Sequence, residues 1–292
     1  ARIAGLNYLL ESFRRFTLGA LDKGIKPPVI TAIAKYHSTE IQRKLVNDAM
    51  DVMGGAAISM GPRNLVAHGY IATPIGITVE GANIMTRTFM IFGQGALRAH
   101  PYAFNEVNAL EKGDLKGFDA AFWGHIGHVI RNVFRSVLLS VTRGWISTPQ
   151  GGELSRYYRK LNWISASFAI MSDVAMASLG GGLKAKEKIT GRFADILSYM
   201  YMATAVLRRY EADGKRKEDL PFVHYSMKLC MTEIQKAFDG IFANLRVPGL
   251  SWFFGGIIRA WSNFNSVGED LSDNLSKKVV QLVLADTEQR DR

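Results

Sequence analysis

The sequence predicts an all-α protein. Apolar residues recur at three- and four-residue steps through most of it, and no run alternates with a period of two long enough for a strand. Proline is scarce, 8 in 292 residues, while 28 glycines punctuate the helical stretches. With 48% apolar and 21% charged residues the composition is that of an ordinary globular chain, which excludes disordered and collagen-like architectures. The length suffices for two packed units or one large one. A single cysteine, Cys230, excludes an internal disulfide and a cysteine-built zinc site, and fits a reducing, cytosol-facing location.

Taken in order, residues 7–21 form an apolar, Leu-rich helix stopped by Gly24 and Pro27-Pro28. The next helix carries Ile30, Ile33, Ile41, Leu45, Ala49 and Val52 on one stripe and ends at Gly54-Gly55. Between 56 and 79, Gly61-Pro62, Gly69, Pro74 and Gly76 predict an ordered loop with little room for a helix. A helix resumes after Gly81, runs to about Ala99 and stops at His100-Pro101. Further stripes follow at Ile126, Ile130, Val133, Val137 and Val141; at Phe193, Ile196, Leu197, Met200 and Leu207; and at Met227, Cys230, Ile234, Phe238, Ile241 and Leu245. Turns are expected at 149–152, 180–182, Asp213-Gly214 and Pro248-Gly249. A break at Lys112 to Lys116 divides the chain into domains at 1–112 and 113–292.

The net charge is +10 and unevenly spread. From 120 to 172 the single acidic residue is Glu153, against Arg131, Arg135, Arg143, Arg156, Arg159 and Lys160. Such a field favours an anionic partner, whether membrane lipid, nucleic acid or a phosphate-bearing cofactor; a solvated basic face is the plainer reading. The longest uncharged run, 64–79, contains Asn64, His68 and Pro74 and falls short of the about 20 apolar residues of a spanning helix, so no transmembrane span is expected. The first residues lack the layout of a signal peptide, with Arg14-Arg15 in the middle of the apolar stretch. The chain reads as starting inside a helix, which points to a fragment, and its charged run 277–292 points to an end short of the natural one.

Most chemical signals are weak. His125 and His128 sit three apart on one helix with no carboxylate or further histidine nearby in sequence, so no metal site is expected. Gly180-Gly181-Gly182-Leu183-Lys184 lacks the spacing of a phosphate loop, Gly93-Gln94-Gly95 lacks a third glycine, and Cys230 belongs to an apolar stripe. The informative stretch is 75–87. There Glu80 follows an apolar approach and immediately precedes a helix: burial by Ile77, Val79 and Ile84 would raise its pKa, and the helix start would lower it. A base tuned in this way and a simple helix-starting carboxylate both fit the spacing.

The residues 48–98 resemble the C-terminal helical domain of acyl-CoA dehydrogenases. That family has a helix ending in Gly-Gly, an irregular loop, an apolar or aromatic residue followed by Glu-Gly, and an Arg seven positions after the Glu. This chain has Gly54-Gly55, Val79-Glu80-Gly81 and Arg87 in that order. The stretches 61–64 and 92–102 are closer to one branch, the large bacterial membrane-associated fatty-acyl-CoA dehydrogenases with an extra C-terminal helical domain. Residues 103–292, for example 191–198, are similar to that extra domain.

The resemblance implies FAD-dependent α,β-dehydrogenation of a medium- or long-chain fatty acyl-CoA to the trans-2-enoyl-CoA, the first step of β-oxidation. Glu80 would be the α-proton base, with its own backbone N–H polarising the thioester carbonyl. It further implies cofactor contacts at Asp51, Gly54, Gly55, Gly81, Ala82 and Asn83, with Gly54-Gly55 against the adenosine part of a neighbouring subunit's FAD. An electron-carrier flavoprotein or quinone-linked acceptor, an anionic membrane surface, a homo-oligomer, no nucleic acid, and a cytoplasmic place at the bacterial inner membrane complete the picture. Two departures stand out. Ala82 and Ile84 occupy positions where many members have Thr and Gln, with Asn83 as a substitute contact, and Ile71 stands where many have Arg. Acyl-CoA oxidase is the neighbouring reading. A non-catalytic membrane-docking or oligomerisation module is the other, drawn from the aromatic stretch Leu250–Phe264 flanked by Arg246 and Arg259.

Overall fold

The structure, a computed structural model, describes residues 1–25, 29–147 and 152–285. Among these there are helices and turns and no strand. In chain order the helices are α1 Arg2–Asp22, α2 Ile30–Met53, α3 Ala67–Thr78, α4 Asn83–Met85, α5 Gly95–Ala99, α6 Ala103–Lys112, α7 Leu115–Val141, α8 Ser155–Leu179, α9 Glu187–Ala212, α10 Leu220–Asn244, α11 Arg259–Phe264 and α12 Asp273–Leu284. A 3₁₀ turn, Gly54–Ala57, extends α2, and π-helical segments Thr86–Gln94 and Phe253–Ile258 lead into α5 and α11. The predicted stop at Pro27-Pro28 and most of the turn at 149–152 lie outside the described residues, as do 286–292.

Packing divides the chain into two compact units, each drawn from separated stretches. The first comprises Ala1–Thr86, Tyr201–Cys230 and Asp270–Arg292; the second comprises Arg87–Met200 and Met231–Glu269. α9 and α10 each contribute residues to both. The turn at 112–116, where a break is expected from the sequence, lies inside the second unit, with Asp114 accepting from the Gly117 N–H as the cap of α7.

In the first unit α1 buries Leu6, Leu9 and Phe13. Gly5 is required there, because a Cβ would stand 2.2 Å from the Tyr225 ring. The guanidinium of Arg209, itself buried, lies 4.2 Å over the Tyr8 ring and pairs with Asp213, which also receives Arg15 at 2.9 Å. α3 is a departure from the expected loop. Asn64 is buried and accepts from the N–H groups of Val66 and Ala67 at 3.1 and 2.9 Å, capping the helix, while its amide turns to the carbonyls of Ala56, Ala57 and Ser59. Packing on α2, close at Gly76 against Thr39, then carries Pro74 within the helix. Tertiary contact here overrides local propensity.

In the second unit Phe92 stacks on Phe193 with centroids 4.5 Å apart, and Phe168 meets both edge-on. The stretch Ser155–Ala185 is long and apolar enough by composition to cross a membrane, which corrects the expectation that no segment qualifies. In the structure α8 buries Trp163, Ile164, Ala166, Met171 and Ala175, and 33% of its apolar window is buried. The stripe of α10 is buried throughout, from Met227 to Leu245. That of α7 is not: Ile130, Val137 and Val141 are 53%, 56% and 64% exposed. α7 turns Ala121, Asn132 and Leu139 inward instead.

Candidate active site

The chain leaves α3 at Val79, whose ψ of 156° turns it out of the helix, and re-enters a helix at Asn83 after Ala82. Between them Glu80 and Gly81 both have positive φ, 52° and 94°. Glycine takes that conformation freely, whereas for Glu80 it costs about 1–2 kcal/mol. A side chain from α2 holds the turn. Lys35 Nζ donates to the Gly81 carbonyl and to Asn83 Oδ1, both at 2.6 Å, and lies 3.4 Å from the Ile77 carbonyl. Asn83 Nδ2 donates to Thr39 Oγ1 and Glu40 Oε1, both at 2.9 Å. Residues on either side of Glu80 are thus tied to consecutive turns of α2.

The clamp leaves Glu80 itself free. Its carboxylate is exposed and has no hydrogen-bond or ion-pair partner among the described residues, and neither its N–H nor that of Gly81 meets an acceptor there. The turn therefore presents a carboxylate and two backbone donors. This corrects the expectation of burial: Val79 and Ile84 are themselves 45% and 58% exposed and enclose nothing. Gly81 is exposed and Ala82 half-buried, so both offer backbone to a ligand. Asn83 does not offer its side chain. It is 3% exposed with both ends of its amide engaged within the protein.

At the C-terminus of α2, Asp51 is exposed and Gly54 turns the chain with φ 57°. A Cβ at Gly54 or Gly55 would meet nothing within 4 Å. This is bare backbone open on its outer side, beside an acceptor carboxylate, and the Asn64 hydrogen bonds hold the segment that follows it.

Arg87 is directed inward. It forms a two-point pair with Asp195, Nε to Oδ1 at 2.8 Å and Nη2 to Oδ2 at 2.5 Å. A Cβ at Gly191 would stand 2.8 Å from Arg87 Nη1, so the glycine that opens 191–195 makes room for the pair. Burial pushes the Asp195 carboxyl up, against the downward pull of Arg87.

His125 and His128 join a cluster that sequence spacing does not reveal. His100 Nε2 lies 3.1 Å and His125 Nε2 3.6 Å from Oδ1 of Asp173, which is 8% exposed, and His125 Nδ1 lies 2.8 Å from Glu106. Ligand atoms of His100, His125 and Asp173 fall within 4.8 Å of one another. His100 Nε2 and both carboxylate oxygens of Asp173 are buried with no hydrogen-bond partner among the described residues. His100 Nδ1 accepts from the N–H groups of Tyr102 and Ala103 at 3.2 and 2.9 Å, so in the neutral ring, by that geometry, the proton sits on Nε2 and faces Asp173. A metal at Nε2 would need that nitrogen bare. The cluster ties the His100 turn to α6, α7 and α8.

Against known proteins, residues 97–292 match the family model described as acyl-CoA dehydrogenase, C-terminal, bacterial type. The match covers most of the chain, and the chain belongs to that family. Its fold is similar to that in a crystal structure of an acyl-CoA dehydrogenase complexed with FAD from Bacillus anthracis, with a TM-score of 0.70 over 96% of this chain at 13% identity. The present chain spans 46% of the length of that protein.

Proposed function

We propose that this chain supplies the proton-abstracting half of a FAD-dependent fatty acyl-CoA dehydrogenase, converting a medium- or long-chain acyl-CoA to the trans-2-enoyl-CoA in the first step of β-oxidation. The observation that carries this reading is the Glu80-Gly81 turn: one unpaired carboxylate beside unpaired backbone donors, fixed by Lys35. A thioester α-proton is weakly acidic, so its removal needs a positioned base and stabilisation of charge on the carbonyl oxygen. Glu80 supplies the carboxylate, and its N–H supplies a donor to that oxygen. The Lys35 clamp fixes the backbone that carries both, which orders the N–H donor and the root of the Glu80 side chain in advance.

The residues present fit the cofactor in part. Asp51 and the bare Gly54-Gly55 backbone suit the adenosine side of FAD held by a second copy of the chain, and the Gly81 and Ala82 backbone suits close approach of the flavin. When bound, FAD supplies the hydride acceptor. Domains at 1–112 and 113–292, a homo-oligomer, and reoxidation by an electron-carrier flavoprotein or a quinone-linked acceptor belong to the same reading; no feature favours the oxidase over it. The exposed α7 stripe and the excess of arginines over acidic residues from 131 to 159 support docking on an anionic membrane, at the cytoplasmic face of the bacterial inner membrane.

The test is anaerobic bleaching of bound flavin by a long-chain acyl-CoA in the enzyme assembled with its flavin-binding remainder. Glu80→Gln keeps shape and flavin content. It should slow bleaching by about 10⁴-fold or more, at or beyond the upper end for a positioned base, with the loss in kcat rather than KM. Bleaching within about tenfold of wild type would remove Glu80 from the chemistry, since even the low end of base catalysis exceeds that.

A further inference from the structure

The second unit contains a cleft of about 560 Å³, walled by α7, α8, α10 and the segment 253–267. That volume is within the about 300–1,000 Å³ of small-molecule sites. Its walls are apolar, with Trp163, Ile164, Met171, Phe238, Phe242 and Phe254 among them. The polar groups on its walls are already paired with one another. Ser136 and Ser167 hydroxyls meet at 3.2 Å, Trp261 Nε1 donates to Ser140 Oγ at 2.6 Å, Asn265 donates to the Ser140 carbonyl at 2.6 Å, and Gln235 donates to Ser262 at 2.9 Å. A peptide segment lying there would lose water from its backbone and gain no partner. A hydrocarbon chain loses nothing of the kind.

Two further features mark the cleft as a ligand site. One wall is the π-helical segment Phe253–Ile258, which contributes Phe253, Phe254 and Ile258; π-helical turns recur at functional sites. The mouth lies along exposed Val133, Val137 and Val141 of α7. Two residues beyond Val141 in the chain stands Arg143, exposed, whose guanidinium has no hydrogen-bond or ion-pair partner among the described residues. No acidic residue occurs from 120 to 152, and Glu269, two residues beyond Val267 of the cleft wall, is engaged by Lys160 at 2.6 Å. We infer that this cleft binds a single-chain anionic amphiphile, a fatty acyl group or a lysolipid, with the alkyl chain between α7, α8 and α10 and the anionic head at Arg143. The inference stands apart from the Glu80 reaction and holds whether or not Glu80 is a base.

The test is equilibrium titration of the protein with cis-parinaric acid, a fatty acid whose polyene fluoresces in apolar surroundings, at low salt and without vesicles. Saturable one-to-one binding is expected, displaced by palmitate. Val137→Asp places a carboxylate at the mouth from an exposed position and should weaken binding by about tenfold or more while the melting temperature stays near wild type. Arg143→Gln should weaken palmitate but leave neutral hexadecanol unchanged, and Leu65→Asp, an exposed change in the first unit, should alter nothing. Displacement by palmitate alone assigns the site to fatty acyl groups; equal displacement by lysophosphatidylglycerol assigns it to both sources. Absence of saturable binding, binding indifferent to Val137→Asp, or uptake of the probe only when vesicles are present would each overturn the inference.

Discussion

Lys35 is the residue on which the proposed chemistry turns, although it touches no reacting atom. Its ammonium bridges the carbonyl of Gly81 and the amide of Asn83, so it acts on Glu80 through the backbone on one side and, at 3.4 Å, through Ile77 on the other. Lys35→Met keeps the length of the stem and removes the charge and donors. It leaves the Gly81 carbonyl and Asn83 Oδ1 without their donor, which should cost about 1–3 kcal/mol of stability. The Glu80 turn, already in an unfavourable φ region, should relax, and flavin reduction should slow by about 10–100-fold in kcat with KM nearly unchanged. Stopped-flow flavin reduction beside thermal unfolding measures both. A variant that lost only stability would show that Lys35 holds the fold without positioning the base. Asn83→Ala should resemble Lys35→Met, because the amide relays α2 to the same turn.

Among the helices, α7 has the most unusual balance. Its periodic apolar residues face outward, while its inward face includes Asn132, and His128 Nε2 lies 2.8 Å from the Asn132 amide. Burial lowers the pKa of His128 first of all, and the neighbouring His100, Arg131 and His125 add to this, against the pull of Asp173. The sign follows from linkage. A histidine whose folded pKa lies below its unfolded value of about 6.5 is neutral in the native state while the unfolded chain is already binding protons. Its contribution to stability is therefore present above about pH 6.5 and is lost as pH falls from there toward the folded value. Thermal denaturation from pH 7.5 down to 5 should show wild type losing stability more steeply than His128→Gln. Parallel curves for the two proteins would place the acid sensitivity elsewhere in the cluster.

At the scale of the whole molecule, the proposed membrane attachment has a direct test. Co-sedimentation with vesicles rich in anionic lipid should exceed that with neutral vesicles and should fall with salt. Arg131→Gln, Arg135→Gln and Arg143→Gln together should weaken it, at about 1 kcal/mol for each charge that approaches the surface. Binding equal on neutral vesicles, or unchanged in high salt, would count against an electrostatic attachment. The proposed function assigns flavin binding to a remainder outside this chain, so this chain purified alone should carry substoichiometric flavin and turn over no acyl-CoA. A yellow protein with one flavin per chain, reduced by acyl-CoA, would overturn the division of labour proposed for the two halves.

Much of this was legible in the chain as written. Helical period and the absence of alternation determined an all-α architecture, because side-chain spacing on a helix is a local property. The glycines at 54, 55 and 81 marked bends that the structure realises with positive φ at Gly54 and Gly81, and the family suggested by the order Glu80, Gly81, Arg87 is the one whose model matches from residue 97 onward. Proline and glycine misled between 67 and 78, where the cap from Asn64 and the packing on α2 outweighed them. The partners lay beyond any sequence window. Lys35 reaches a carbonyl 46 residues away, Arg87 a carboxylate 108 residues away, and His100 and His125 meet at Asp173. Periodicity reports that a helix has an apolar face and is silent on what that face meets. The stripes of α7 and α10 read alike, yet α10 fills a core while α7 leaves its own open, because which face is covered depends on the helices that pack against it.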